Sequence, residues 1–140
     1  VPLLEQVLEN NIEKVKLAFK NFPLRRHKYA QKAAMAALAA DNQGKFWEFH
    51  DRLFIDYNKL SDQKIREIAL DLGFNTTEFE KQMKDQKVLA KIRQDILDGK
   101  RAGVKGVPAV FINGRRLKNW SLKEFQILID NELNKIKKDP

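Results

Sequence analysis

The sequence predicts an α/β domain, and three observations carry that prediction. Near the N-terminus Val15, Leu17 and Phe19 alternate with Lys16 and Lys20, which is the period of a strand. Further on, Gly106-Val107-Pro108-Ala109-Val110-Phe111-Ile112 is a continuous apolar run that closes on Asn113-Gly114, a strong hairpin signal. Around and between them lie stretches of helical period with recognisable start and stop residues.

Taken in order, Val1–Asn11 reads as a helix, because Leu3, Leu4, Val7 and Leu8 fall on one stripe. Glu13–Phe22 reads as a strand that Pro23 stops. Lys28–Ala40 is an Ala-rich helix, closed by the turn residues Asn42-Gln43-Gly44. Phe46–Phe54 is a short aromatic helix. Ser61 caps a helix running to Leu72, with Gly73 at its exit. Thr77 with Glu80 fits a capping box for a further short helix. Val88, Ile92 and Ile96 line a longer helix that ends by Gly103. The run from Gly106 to Ile112 reads as a strand buried on both faces, and Arg115–Lys118 as its return. Ser121 and Glu124 form a capping box for the last helix, Trp120 is placed to staple against Phe125, and Leu122, Phe125, Leu128, Ile129, Leu133 and Ile136 form its apolar face. Lys135, Lys137 and Lys138 suit its negative end.

The chain has 140 residues, the size of one domain, and at 43% hydrophobic and 33% charged it has the composition of a globular rather than a disordered protein. Its longest apolar stretch, Ala33–Ala40, is too short to span a membrane. Val1–Asn10 carries two Glu and no basic residue, unlike a secretory signal. There is no cysteine, which excludes disulfides, thiolate nucleophiles, zinc–thiolate sites and a redox dithiol within these residues. The net charge of +8 is spread along the chain among 19 acidic residues, so it reads as a solvated basic surface and not as a nucleic-acid footprint.

Few side chains suggest chemistry on their own. His27 and His50 are the only histidines and no carboxylate pattern groups them, so both read as surface or satisfied helix residues. Phe46, Trp47, Phe49 and Leu53 read as core. Arg25-Arg26 and Arg115-Arg116 are the densest basic pairs. The second follows the hairpin turn, where charge protects a sheet edge. Lys20 would stabilise a thiolate lying beside it, but reads first as a solvated lysine. No glycine-rich phosphate loop and no nucleophile elbow is present.

Three stretches, in order and spacing, resemble the DsbA-like thioredoxin-fold family. They are Phe19-Lys20-Asn21-Phe22-Pro23-Leu24, Gly44-Lys45-Phe46-Trp47-Glu48-Phe49-His50-Asp51-Arg52-Leu53-Phe54, and Gly106 to Arg115. The resemblance implies an α/β thioredoxin-like fold with a helical insertion: a single incomplete domain over 1–140, with 28–102 as the insertion and 1–27 and 103–140 as the core. It implies that Val107-Pro108 is the cis-proline loop that holds extended substrate backbone; from spacing alone the bond reads as trans, the common state. It also implies that the first, central strand and its Cys-X-X-Cys lie upstream of Val1, so no residue of this chain takes a catalytic role. The implied partners are polypeptide clients with thiols or disulfides, the implied compartment is exported or periplasmic, and no metal or other cofactor is implied.

The missing strand would lie between Glu13–Phe22 and Pro108–Ile112. Each buried backbone group left unpaired there costs about 1–3 kcal/mol, so another segment or a second copy is expected to complete the sheet. The competing expectation is a cysteine-free module that binds polypeptides without redox chemistry.

Overall fold

The computed structural model describes residues 2–139, so Val1 and Pro140, the ends of the expected 1–140 domain, lie outside the described residues. In chain order the elements are α1 (Pro2–Asn10), α2 (Ala30–Asp41), α3 (Phe46–Ile55), a 3-10 turn (Tyr57–Lys59), α4 (Asp62–Asp71), α5 (Thr76–Met83), α6 (Gln86–Arg101), β1 (Phe111–Ile112), β2 (Arg115–Arg116) and α7 (Leu122–Lys138). They form two compact units, one of Val1–Phe19 with Gly106–Pro140, the other of Lys20–Lys105.

In the first unit α1 packs on α7 around Val7, Leu117, Phe125 and Ile129, with Leu4, Val110, Ile112 and Leu122 around them. The end of α1 is tied to α7 by a reciprocal amide pair: Asn11 Nδ2 donates to Gln126 Oε1 and Gln126 Nε2 to Asn11 Oδ1, each at 3.0 Å. Asn11 is buried, and its amide also donates to the Val7 carbonyl at 2.8 Å, so its polar atoms are satisfied inside the core. At the start of α7 the Ser121 hydroxyl accepts from the Glu124 N–H, and the Trp120 ring meets Phe125 edge-on at 6.0 Å. Cap and staple stand where the sequence places them.

The hairpin turns through Asn113 and Gly114, with φ of 46° and 80°. Positive φ at both central residues matches the right-handed twist of the flanking strands, and Asn-Gly is the pair that adopts it at least cost. Phe111 pairs with Arg116 and Ile112 with Arg115, and the Leu117 N–H reaches the Val110 carbonyl at 2.9 Å.

In the second unit the alanines of α2 let other helices come close. Ala36, Ala37, Ala39 and Ala40 are buried, and α3, α5 and α6 all pack on this helix. Phe49, Phe74 and Phe79 fill the centre as an aromatic cluster, Phe49 stacked on Phe79 at 5.3 Å and Phe74 at 4.9 Å from Phe79. Ser61 caps α4 by accepting from the Lys64 N–H, and Gly73 leaves it at a φ of 84°.

Four expectations are corrected. Glu13–Phe22 is not a strand: β1 and β2 are the strands among the described residues, and they pair with each other. The alternation is present, but a strand exists only with a ladder partner, and Leu17 and Phe19 stay 36% and 39% exposed. The strand over Gly106–Ile112 shortens to Phe111–Ile112, the two residues that pair with β2, and it is half-buried and not buried on both faces. The cap of α5 is Asn75, whose side chain accepts from the Glu78 N–H, two residues before the expected Thr77. Ile136 is 66% exposed, because the last turn of α7 runs past the core.

Candidate functional site

The Val107-Pro108 loop lies at the head of the short hairpin in the first unit. Val107 is 49% exposed and Pro108 is exposed, while Val110 and Ile112 just beyond turn into the core beside Val7 and Leu117. The Val107–Pro108 peptide is cis. Val107 is thus an exposed apolar side chain on a segment whose following residues, Val110 and Ile112, pack on the core of the first unit.

The hairpin below the loop is braced by one carboxylate. Glu132 on α7 takes Lys135 at 2.7 Å and the Arg115 guanidinium at 3.4 Å, and Asn113 Nδ2 donates to it at 3.4 Å. The bond from Lys135 holds the Glu132 carboxyl below the usual carboxylate range, with burial opposing. Arg115 and Arg116 are both exposed on β2.

In the second unit the structure shows a polar cluster absent from the sequence reading. Asp95 on α6 is 1% exposed. Its Oδ2 accepts from the Asn21 backbone N–H at 2.9 Å and from Asn21 Nδ2 at 2.8 Å, and its Oδ1 accepts from Lys91 at 2.7 Å. Burial alone would push this carboxyl up, but the Asn21 N–H, the Lys91 ammonium and the Asn21 amide outweigh burial and hold it below the ordinary range. One turn on, the Phe22 ring lies so close to Gly99 that a Cβ there would stand 2.8 Å from two ring carbons. Together these contacts fasten Asn21 and Phe22 to α6.

Lys20 is exposed, as read, but its ammonium has carboxylate neighbours. Its ammonium is 3.6 Å from Asp95 and 3.5 Å from Asp98, and the Asp95 charge chiefly raises its pKa. A sequence signal for the cluster does exist. Asp95 occupies the same helical stripe as Val88 and Ile92, where an apolar residue is expected.

His50 is buried in an aromatic setting, its ring 4.5 Å from Phe54 and 5.2 Å from Trp47, with Nδ1 3.0 Å from Asp51 Oδ1. It is a satisfied helix residue, as read. His27 is exposed beside Arg26. Phe49 and Leu53 are core, whereas Trp47 is 42% exposed. Among the described residues no three His, Asp or Glu side chains are grouped to hold a metal, and no helix is long and apolar enough to cross a membrane.

Known proteins resemble this chain along most of its length. The family model described as "DSBA-like thioredoxin domain" matches residues 4–129. The Na(+)/H(+) antiporter NhaA 3 of Salinispora tropica is 36% identical over 103 residues, which is 73% of this chain and 16% of that protein. The probable disulfide bond formation protein D of Bacillus anthracis is 28% identical over 145 residues, covering 96% of this chain and 66% of that protein. The chain thus spans less than a fifth of the antiporters it matches and about two thirds of the disulfide bond formation protein. The crystal structure of a thioredoxin-like oxidoreductase from Silicibacter pomeroyi DSS-3 superposes with a TM-score of 0.81 at 22% identity, over 95% of this chain and 76% of that one. The α/β thioredoxin-like fold is therefore shared, with the helices predominating and one small two-stranded sheet among the described residues. On the match over residues 4–129, the chain belongs to the DsbA-like thioredoxin domain family.

Proposed function

We propose that these residues are the client-facing part of a DsbA-type thiol–disulfide oxidoreductase domain, whose redox dithiol lies outside this chain. The observation that carries the reading is a family match over residues 4–129 in a chain without cysteine. In such a domain a thiolate attacks a sulfur of the client disulfide, a mixed disulfide forms, and the client's other sulfur leaves as thiolate. The second thiol of the pair then resolves the mixed disulfide, so that one dithiol and one disulfide exchange. This chain supplies the surface that holds the client: Val107 and Pro108 contact its extended backbone. Residues 28–102 are the helical insertion and 1–27 with 103–140 the thioredoxin core. The expected clients are polypeptides with thiols or disulfides, and the setting is an oxidising, exported one.

The test uses the 140-residue chain as it stands. It should neither reduce nor oxidise a dithiol substrate, and turnover above a buffer blank would overturn the assignment of the dithiol. An unfolded, cysteine-free polypeptide should still bind, followed by NMR shifts around Val107. Val107→Asp should weaken that binding about tenfold, the loss of one buried apolar contact plus the desolvation of a charge. Unchanged binding in that variant would remove the loop from the client surface.

A further inference from the structure

In the second unit, α2, α4 and α5 leave a cavity of about 270 Å³ between them. Its floor is apolar: Ile65, Ala69, Phe79 and Met83 are buried, and Met35 is half-buried. Met35 and Met83 are the only two methionines in the chain, and both line this one cavity. Unbranched, polarisable thioethers repack around guests of differing outline, which is why methionine recurs at adaptable binding surfaces.

The rim is charged and unevenly so. Lys32 pairs with Asp62 at 2.6 Å across α2 and α4, and Arg66 faces Glu80 at 3.8 Å across α4 and α5. Those four charges cancel. Lys84, just past the end of α5, also lines the cavity, and its amine makes no hydrogen bond or ion pair among the described residues. One positive charge is thus left over beside an apolar hollow. The volume is just below the usual range for small-molecule pockets, roughly 300–1,000 Å³, so the guest is small.

We infer that this cavity binds a small amphipathic carboxylate, its aliphatic tail on Met35, Ile65, Phe79 and Met83 and its carboxylate on the Lys84 ammonium. The inference does not depend on redox chemistry elsewhere in the domain, since every residue it uses lies on α2, α4, α5 or the residue after α5.

Two methionines mean two ε-methyl signals in a chain labelled at that carbon. Octanoate, octanol and octylammonium are titrated in turn into the unaltered protein. Octanoate should shift both signals saturably in the millimolar range or below, and the alcohol and the amine should bind roughly tenfold more weakly, the worth of one charge-assisted bond. Lys84 is exposed, so Lys84→Glu should keep the fold, checked by its melting curve, and lose the preference for the acid. No saturable shift with octanoate would overturn the proposal. Equal affinity for all three probes would overturn it too, because the cavity would then be an apolar sink that does not read the carboxylate. That comparison needs no variant.

Discussion

Removing the Asp95 carboxylate should destabilise the chain by about 2–4 kcal/mol. In Asp95→Ala the Asn21 N–H, 2.9 Å from that carboxylate and buried, loses its acceptor. An orphaned buried donor costs about 1–3 kcal/mol, and the Asn21 amide loses a second bond to the same oxygen. The lysines add less. Lys91 and Lys20 are 46% and 56% exposed, so their ammonium groups return to water. The total therefore falls toward the lower end of the roughly 3–5 kcal/mol seen when one partner of a fully buried pair is removed. Against a domain stability of about 5–15 kcal/mol this is a large share. Urea unfolding followed by circular dichroism measures it as a drop in midpoint at unchanged slope. A loss below about 0.5 kcal/mol, the scatter of ordinary surface substitutions, would mean that the cluster satisfies Asp95 without holding anything in place.

The same carboxylate sets a sign for pH. Its folded pKa lies below the ordinary value, so the unfolded chain takes up the proton first as acid is added. Its contribution is complete above the ordinary carboxylate range, near pH 4, and is lost as pH falls through the lower folded value. Asp95→Asn keeps the shape but not the titration. Its stability should be lower than the parent's at neutral pH and fall less steeply below about pH 4. Parallel acid limbs for the two proteins would show that Asp95 is not the group responsible.

Four further substitutions test local claims. Asn75→Ala should cost about 1 kcal/mol and Thr77→Ala much less, because the side chain that accepts from the Glu78 N–H belongs to Asn75; the reverse order in thermal melts would restore Thr77 as the cap. Gly99→Ala should lower the melting temperature although alanine favours helix by about 1 kcal/mol, because the new Cβ meets the Phe22 ring at 2.8 Å and overpacking costs about 1–3 kcal/mol. A more stable Gly99→Ala protein would show that the ring moves aside freely. Gly114→Ala should destabilise the hairpin by roughly 1 kcal/mol, since φ is 80° there, and amide exchange of the Leu117 N–H reports it directly.

The helices were legible because their signals are local. Ser61 and Ser121 cap where they stand in sequence, and the Trp120–Phe125 staple needs only residues five apart. The hairpin was legible for the same reason, since Asn113-Gly114 carries its own geometry. What local signals do not carry is who stands opposite. Alternation at Val15, Leu17 and Phe19 describes side chains, whereas a strand is defined by a neighbour's backbone. Asp95 shows the same limit from the other side. Its place on the Val88–Ile92 stripe marks it as anomalous, but its reason is Asn21, 74 residues away.

That partnership also explains how the run after Phe19 is held without a sheet. A backbone N–H taken out of water needs an acceptor, and in a strand a neighbouring carbonyl provides it. At Asn21 the acceptor is a side chain, the Asp95 carboxylate, and the adjacent Phe22 ring is seated on the one residue of that helix stripe with no side chain, Gly99. Two contacts spaced one turn apart on α6 thus replace ladder bonds as the anchor. A carboxylate suits this role better than a neutral amide, because it accepts both Asn21 donors on one oxygen and still takes Lys91 on the other. Asp95→Asn offers one oxygen and two unwanted donors in the same space. It should therefore lose more stability at neutral pH than removal of a charge alone would suggest, and the shortfall should not be restored by salt, which screens charges but supplies no acceptor. Recovery of Asp95→Asn to parental stability in molar salt would reduce the cluster to a charge effect and return the anchoring of Asn21 to packing alone.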